Sequence, residues 1–474
     1  MAKDVIVLEF NELTPSLVDR FIAMGRLPNF AALRAQSIVA VTDAEEVPPA
    51  LEPWIQWVTV HTGLSYAQHK VFDLGDGPRL SEPRIWDMVS QAGLKSWICG
   101  SMNAAVQSEH FDGLVLPDPW ATDIKARPAG LFEPYLDLVR TYVQEYTTDK
   151  PNVSKVTMMR FARFMVANGL STKTVFQAVR QLAGELSQPI QWRRATILDR
   201  LQWDIFRKFY KRERPALSTF FLNSTAHFQH YFWRNFDPSA FVVASDAATQ
   251  AKYADAIPYG YEKMDEIIGE ALALAGPETS IVLCTALSQQ PMLDHEEIGG
   301  KQIFKMHDAD GFFAFAGVPQ GYTYAPVMAE QFHLIYENEA DAAQAEERLR
   351  AVKLPDGAQV MMARREGSRV FAGCDLVAHP EAGAVIASSV SNRTPRFDDV
   401  FYPVEAVRSG MHHPDGMLWI RTPARSHALV ERAVSLREIA PTLLALAGVV
   451  PGDGFAFPVL PELKEARVAD LQAA

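Results

Sequence analysis

Residues able to do chemistry gather at a few points of this chain. His227 and His230 lie three apart among Phe228, Tyr231, Phe232 and Trp233. On a helical turn their rings share a face, which suits gripping an anion or relaying a proton. The same spacing fits a packed aromatic helix whose histidines are hydrogen-bonded. His412 and His413 stand between Gly410 and Gly416, ahead of an apolar run, and loops at strand ends carry function more often than packing. Glu52-Pro53-Trp54 and Gln56-Trp57 put a carboxylate, an amide and two indoles into six residues. Indoles stack on the apolar faces of sugars while polar neighbours take the hydroxyls; Trp54 and Trp57, three apart, also make the buried face of a helix. Ser288-Gln289-Gln290-Pro291 offers amides and a hydroxyl, which suit a polar ligand better than a dication. Asp294-His295-Glu296 follows, but consecutive residues rarely converge on one ion. Lys301, after two glycines, offers a phosphate contact without the spacing of a P-loop.

The elements that must position these groups alternate in type. Val5 to Glu9 is a short apolar run, and Thr14-Pro15 starts a helix with Leu17, Val18, Phe21 and Ile22 at helical spacing. Ile85 to Ala92 reads as helix and Leu94 to Cys99 as strand. Leu217 to Asn223 is a strand, Asp265 to Ala275 a helix leading into the strand Ser280 to Cys284, and Met417 to Ile420 a strand before the helix Leu436 to Ala447. The alternation predicts an α/β three-layer sandwich, with a central mostly parallel sheet and helices on both faces. Residues 129–214 are helical in pattern. The expected organisation is one domain over 1–474, with a helical basic insertion at 125–215 and a smaller α+β segment at 330–400.

Composition narrows the classes. Of 474 residues 48% are hydrophobic and 22% charged, ordinary for a globular protein. Cys99, Cys284 and Cys374 are too scattered for a disulfide framework or zinc knuckle. No window reaches eighteen uninterrupted apolar residues, and no signal-peptide core follows Met1, so the expected location is cytoplasmic. A net charge of -12 argues against specific nucleic-acid binding. Yet Lys155 to Arg214 holds thirteen basic and four acidic residues. That segment is either a solvated helical face or a peripheral contact for an anionic surface.

Five stretches, in order along the chain, resemble the alkaline phosphatase superfamily, its type I phosphodiesterase/nucleotide pyrophosphatase branch in particular. They are Val5 to Leu13 with Gly25-Arg26-Leu27-Pro28-Asn29-Phe30; Pro53 to Leu64 with His69; Asn223 to Trp233; the Asp265 helix with the strand ending Cys284-Thr285-Ala286-Leu287-Ser288; and Gly410 to Gly416 with Glu438-Ile439-Ala440-Pro441-Thr442. The resemblance implies two zinc-type ions at the carboxyl ends of the strands, held by carboxylates and imidazoles beside a Thr or Ser nucleophile.

Position by position, most of those ligands are replaced. The resemblance places Asn11 where the family has its first Asp, with Glu9 and Glu12 nearby and Glu9 expected to point to the other side of the chain. The nucleophile position falls on Pro53 or Glu52. Ala226 replaces an Asp four residues before His230, and Ala286-Leu287 replaces an Asp-His pair. His230 and His412 are the retained metal-ligand histidines. The expectation is zero or one divalent metal and no intact two-zinc site. The leading reading is a hydrolase or transferase acting on a phosphate ester or related linkage of a large polar or anionic substrate, a sugar or polysaccharide among the candidates. Glu52, His227, His230 and His412 would carry the chemistry; Asn11, Trp54, Gln289, His413 and Lys301 would position the substrate. The alternative is a non-catalytic protein that keeps the fold and docks an anionic polymer, membrane or partner through its basic insertion.

Overall fold

Strand β1 (Val5–Phe10) is buried along its whole length, as a strand covered on both faces must be. Alternation divides it: Ile6, Leu8 and Phe10 enter one core, Val5 and Val7 the other. Glu9 has the parity of the second set, and His61 Nε2 meets it at 2.7 Å.

The computed structural model describes residues 4–121, 123–144, 153–327, 331–404 and 407–463, the side chains of 143 and 144 excepted. Around β1 stand β2 (Ile38–Asp43), β3 (Ser96–Cys99), β4 (Gly113–Leu116), β5 (Leu217–Leu222) and β6 (Ser280–Cys284), followed in the chain by β7 (Ser288–Pro291), β8 (Gly410–His413) and β9 (Asp415–Arg421). The central sheet runs Ala428–Leu429, β2, β9, β6, β1, β5, β3, β4. From β6 to β4 all neighbours are parallel; β9 is antiparallel to both β2 and β6. This is the mixed, mostly parallel three-layer sheet that the sequence alternation predicts. β7 and β8 form a separate antiparallel ribbon with Gln289 opposite His412.

The helices that matter here are α1 (Pro15–Ala23), α2 (Pro53–Thr62), α3 (Lys155–Ala167), α4 (Thr172–Gly184), α5 (Arg194–Glu213), α6 (Ser224–Phe236) and α7 (Ala256–Leu274). Thr14 stands at the N-cap of α1 with extended backbone, but its side chain makes no cap bond; the hydroxyl donates instead to the Gln289 carbonyl at 2.8 Å. α2 has proline in its first turn and ends at Gly63 in the left-handed region, as a helix C-terminus requires. A second, antiparallel sheet of Thr323–Pro326, Phe332–Ile335, Met361–Glu366 and Arg369–Cys374 packs with helix Glu339–Arg350 around its own core of Leu334, Leu349 and Val370.

At the sheet edge, after β4, Asp118 is buried and its Oδ2 has no hydrogen-bond partner among the described residues. Burial pushes its carboxyl up to about 7, against the Trp120 amide and the Arg140 charge. A folded-state value above the unfolded one means the folded chain binds the extra proton between them, so stability falls as pH rises from about 4 to about 7. Asp118→Asn should therefore raise the thermal midpoint at pH 8 and leave it unchanged at pH 4. An equal shift at both pH values would show that the carboxyl ionises without cost.

Candidate active site

Asn11 and Glu12 leave the carboxyl end of β1, Asn223 leaves β5, and Thr285 leaves β6 toward β7, the place where open α/β sheets receive ligands. Glu12 adopts a left-handed backbone (φ 61°), uncommon for a residue with a long side chain. Its carbonyl accepts from Gln229 Nε2 at 2.7 Å, and Tyr261 in turn donates to Gln229 Oε1 at 2.6 Å, so the turn is held from α6 and α7.

That turn aims the Glu12 carboxylate at two imidazoles. Oε2 lies 3.0 Å from His230 Nε2 and 3.4 Å from His412 Nε2, and the two rings stand edge to face at 5.1 Å. Both far nitrogens are also engaged: His230 Nδ1 with the Gly410 carbonyl at 3.1 Å, and His412 Nδ1 with Glu52 Oε2 at 3.5 Å. Such outer partners fix ring orientation and tautomer in metal sites. Gln289 Nε2 donates to Glu12 Oε2 and to the Ala226 carbonyl; its Oε1 is buried without a partner among the described residues.

Burial alone would raise the Glu12 carboxyl, but the charges and hydrogen bonds of His412 and His230 hold it well below the carboxylate range. Burial lowers His230 despite Glu12. At His412 burial is outweighed by Glu12 and Glu52, and the imidazole is raised. Glu52 is raised, by burial first, against the charges of His412 and Arg408.

Ion ligands at about 2.0–2.2 Å in a tetrahedron lie roughly 3.3 Å apart. The Glu12, His230 and His412 donor atoms all lie within 4.8 Å of one another, with Glu12 at 3.0 and 3.4 Å from the two imidazoles, and are the residues that would hold such an ion. Among the described residues a second ion has no such set. Asn11 gives both amide protons away, to Glu12 Oε1 at 2.7 Å and Asn223 Oδ1 at 2.8 Å, and its oxygen accepts from Trp57 Nε1 at 2.8 Å. Ala286 and Leu287 are buried and apolar. Among the described residues no other group of three His, Cys, Asp or Glu converges in this way.

Of the residues singled out in the sequence, Glu52, His230, His412, Gln289 and Asn11 meet here. Glu52 is the N-cap residue of α2, its side chain uncommitted to the helix. Asn11 is fully buried, so it braces the turn and does not reach a ligand. His227 packs on Tyr231 at 4.8 Å, and burial, then the charges of His230 and Lys305, push its imidazole down to about 4. The Trp54 indole donates to the Phe72 carbonyl at 2.7 Å and packs against the second core, taking it out of a sugar platform. His413 falls on the opposite side of its strand from His412 and accepts from the Asp415 amide at 3.2 Å. Lys301 enters through its backbone, which pairs with Arg408. Glu296 is clamped by Arg234 at 2.7 and 2.8 Å, which removes the Asp294-His295-Glu296 run from metal binding.

Two participants escaped the sequence reading. Glu12 was legible only as a neighbour of Asn11. Arg408 acts electrostatically on Glu52, His230 and His412, and no motif marked it.

The chain is thus an α/β protein with two imidazoles and a carboxylate converging at the carboxyl edge of its sheet. The sequence profile described as type I phosphodiesterase / nucleotide pyrophosphatase matches residues 5–415, and the chain belongs to that family. No curated protein matches it. Similar solved structures include phosphonoacetate hydrolase from Sinorhizobium meliloti 1021 in complex with phosphonoformate (11% identity, 94% of this chain and 96% of that one, TM-score 0.42). Murine ectonucleotide pyrophosphatase / phosphodiesterase 5 (9%, 98% of each, 0.43) and the alkaline phosphatase PafA (11%, 97% and 98%, 0.42) are also similar.

Proposed function

We propose that the chain is a phosphoester hydrolase or transferase that works with one divalent ion, held by Glu12, His230 and His412. The observation that carries this reading is the convergence of three donor atoms whose two imidazoles are each oriented from behind, by Gly410 and Glu52. A bound ion of this kind supplies Lewis-acid polarisation of a phosphoryl oxygen and lowers the pKa of bound water.

The chain's own residues do the rest. Glu52 occupies the helix N-terminus at which the resemblance places the nucleophile, and it orients His412. Arg408, whose charge acts on Glu52 and both imidazoles, suits the non-bridging oxygens of a phosphate or phosphodiester. Gln289 holds the Glu12 carboxylate in place. The substrate is a polar or anionic phosphoester, a phosphorylated sugar or glycan among the candidates.

Metal analysis of the purified chain, with a phosphate-, phosphodiester- and glycoside-ester screen with and without chelator, tests the reading. One equivalent of a zinc- or manganese-type ion and chelator-sensitive phosphoester turnover are expected. Two equivalents, no bound ion, or chelator-insensitive turnover would overturn it.

A further inference from the structure

Helix α4 is amphipathic with its faces reversed. The side turned to the protein is polar: Lys173 Nζ meets Glu270 at 2.8 Å and Glu266 at 3.1 Å, Gln177 Nε2 donates to Glu266 at 3.0 Å, and Gln181 Nε2 to the Ile190 carbonyl at 2.7 Å. The side turned to solvent is apolar. Phe176 is 66% exposed, Val179 60%, Leu182 56% and, just past the helix end, Leu186 90%. With Val175 they recur at the three- and four-residue spacing of one helical stripe. A helix that buries amides and shows a row of large aliphatic and aromatic side chains has an unmet partner.

Charge says which partner. α4 itself carries Lys173 and Arg180 and no acid. α3, four residues upstream, exposes Val156, Met159 and Val166 between Lys155, Arg160 and Arg163. Among the described residues Lys155, Arg163 and Arg180 have no ion-pair partner. The whole stretch 155–214 is strongly basic in a chain of net charge -12. Exposed apolar side chains rimmed by unpaired cations suit the interface of an anionic bilayer. A second copy pairing through the same face would oppose like charges. No helix among the described residues is long and apolar enough to cross a membrane, so the contact would lie in the surface.

We propose that the solvent face of α4, with the basic rim of α3, docks this protein on an anionic lipid surface. The stretch that follows α4 reaches the site helix: Trp192 packs on Phe228 and Tyr259, each at 5.5 Å, and Phe228 shares α6 with His230. Docking there would hold the catalytic edge at a fixed height over the bilayer.

The test is flotation of the full chain with vesicles of phosphatidylcholine alone and of phosphatidylcholine with phosphatidylglycerol. Wild type should float with the second kind and release as salt is raised. Val179→Glu with Leu182→Glu, and separately Arg180→Glu, should weaken flotation by at least about tenfold. Far-ultraviolet circular dichroism and bound metal should stay at wild-type values, since all three side chains are exposed. Wild type that ignores both vesicles, or variants that float like wild type, would overturn the proposal. So would a wild-type dimer in light scattering that the Val179→Glu/Leu182→Glu variant dissociates, because the face would then belong to a second copy.

Discussion

Glu12→Ala is expected to abolish ion binding at the proposed metal centre while the chain still folds. Among the described residues Glu12 is the only carboxylate whose oxygen lies within 3.4 Å of both His230 and His412, and two neutral imidazoles alone make a poor site for a zinc-type ion. Loss of an outer-shell partner already costs 10–100-fold in metal affinity, so loss of this ligand should cost at least about 100-fold. Phosphoester turnover should fall with it. Equilibrium dialysis with zinc reads the first effect, and wild-type affinity in the variant would sink the assignment. A rescue sharpens the test. The resemblance places a family Asp at Ala226, one helical turn before His230, and residues four apart share a helix face. Ala226→Asp in the Glu12→Ala background should return a carboxylate to the two imidazoles and restore binding. If it does, Glu12 has taken over the role of the missing Asp from a different strand end.

The second large effect concerns stability. Glu9 and His61 are both fully buried and paired at 2.7 Å; Ser101 donates to Glu9 at 2.6 Å and lies 2.7 Å from Thr219. Removing His61 leaves the buried Glu9 oxygen without that hydrogen-bond partner, so His61→Ala should lower stability by about 1–3 kcal/mol. The vacated space adds to it, since Trp57 and Trp86 flank the ring at 5.8 and 4.8 Å. Replacing both, Glu9→Leu with His61→Leu, leaves neither polar partner stranded and should cost far less than the sum of the single changes. Denaturant unfolding measures both. A loss below about 1 kcal/mol for His61→Ala would mean that Glu9 finds another partner.

Much of the site could be read before any coordinates. By the resemblance, Asn11, Ala226, Ala286 and Leu287 stand where the family has metal ligands, and their side-chain chemistry alone leads to the expectation of a depleted metal site. His230 and His412 could be picked out by the same comparison. The alternation of β1 also places Glu9 away from Leu8 and Phe10, because strand side chains change face with every residue, and the structure pairs it with His61 on that other side. Trp54 could not be resolved, because an indole at helical spacing looks the same whether it faces a sugar or a core; the Phe72 carbonyl and the second core decide it.

What the sequence determined, then, is the layered sheet and the uneven charge of residues 155–214, and it offered His230 and His412 as candidates. These depend on period, residue type and count, all of which are local. The tertiary structure decided the rest. Glu12 reaches His230 and His412 from a backbone that turns left-handed after β1, and the sign of that angle, held by Gln229 and by the Thr285 carbonyl, leaves no trace in residue spacing. The same holds for α4: periodicity shows that the helix has two faces, but only its neighbours on α7 show that the polar one turns inward. The sequence therefore names residue types and their count, while the packing brings Glu12 against His230 and His412 and turns the polar face of α4 inward.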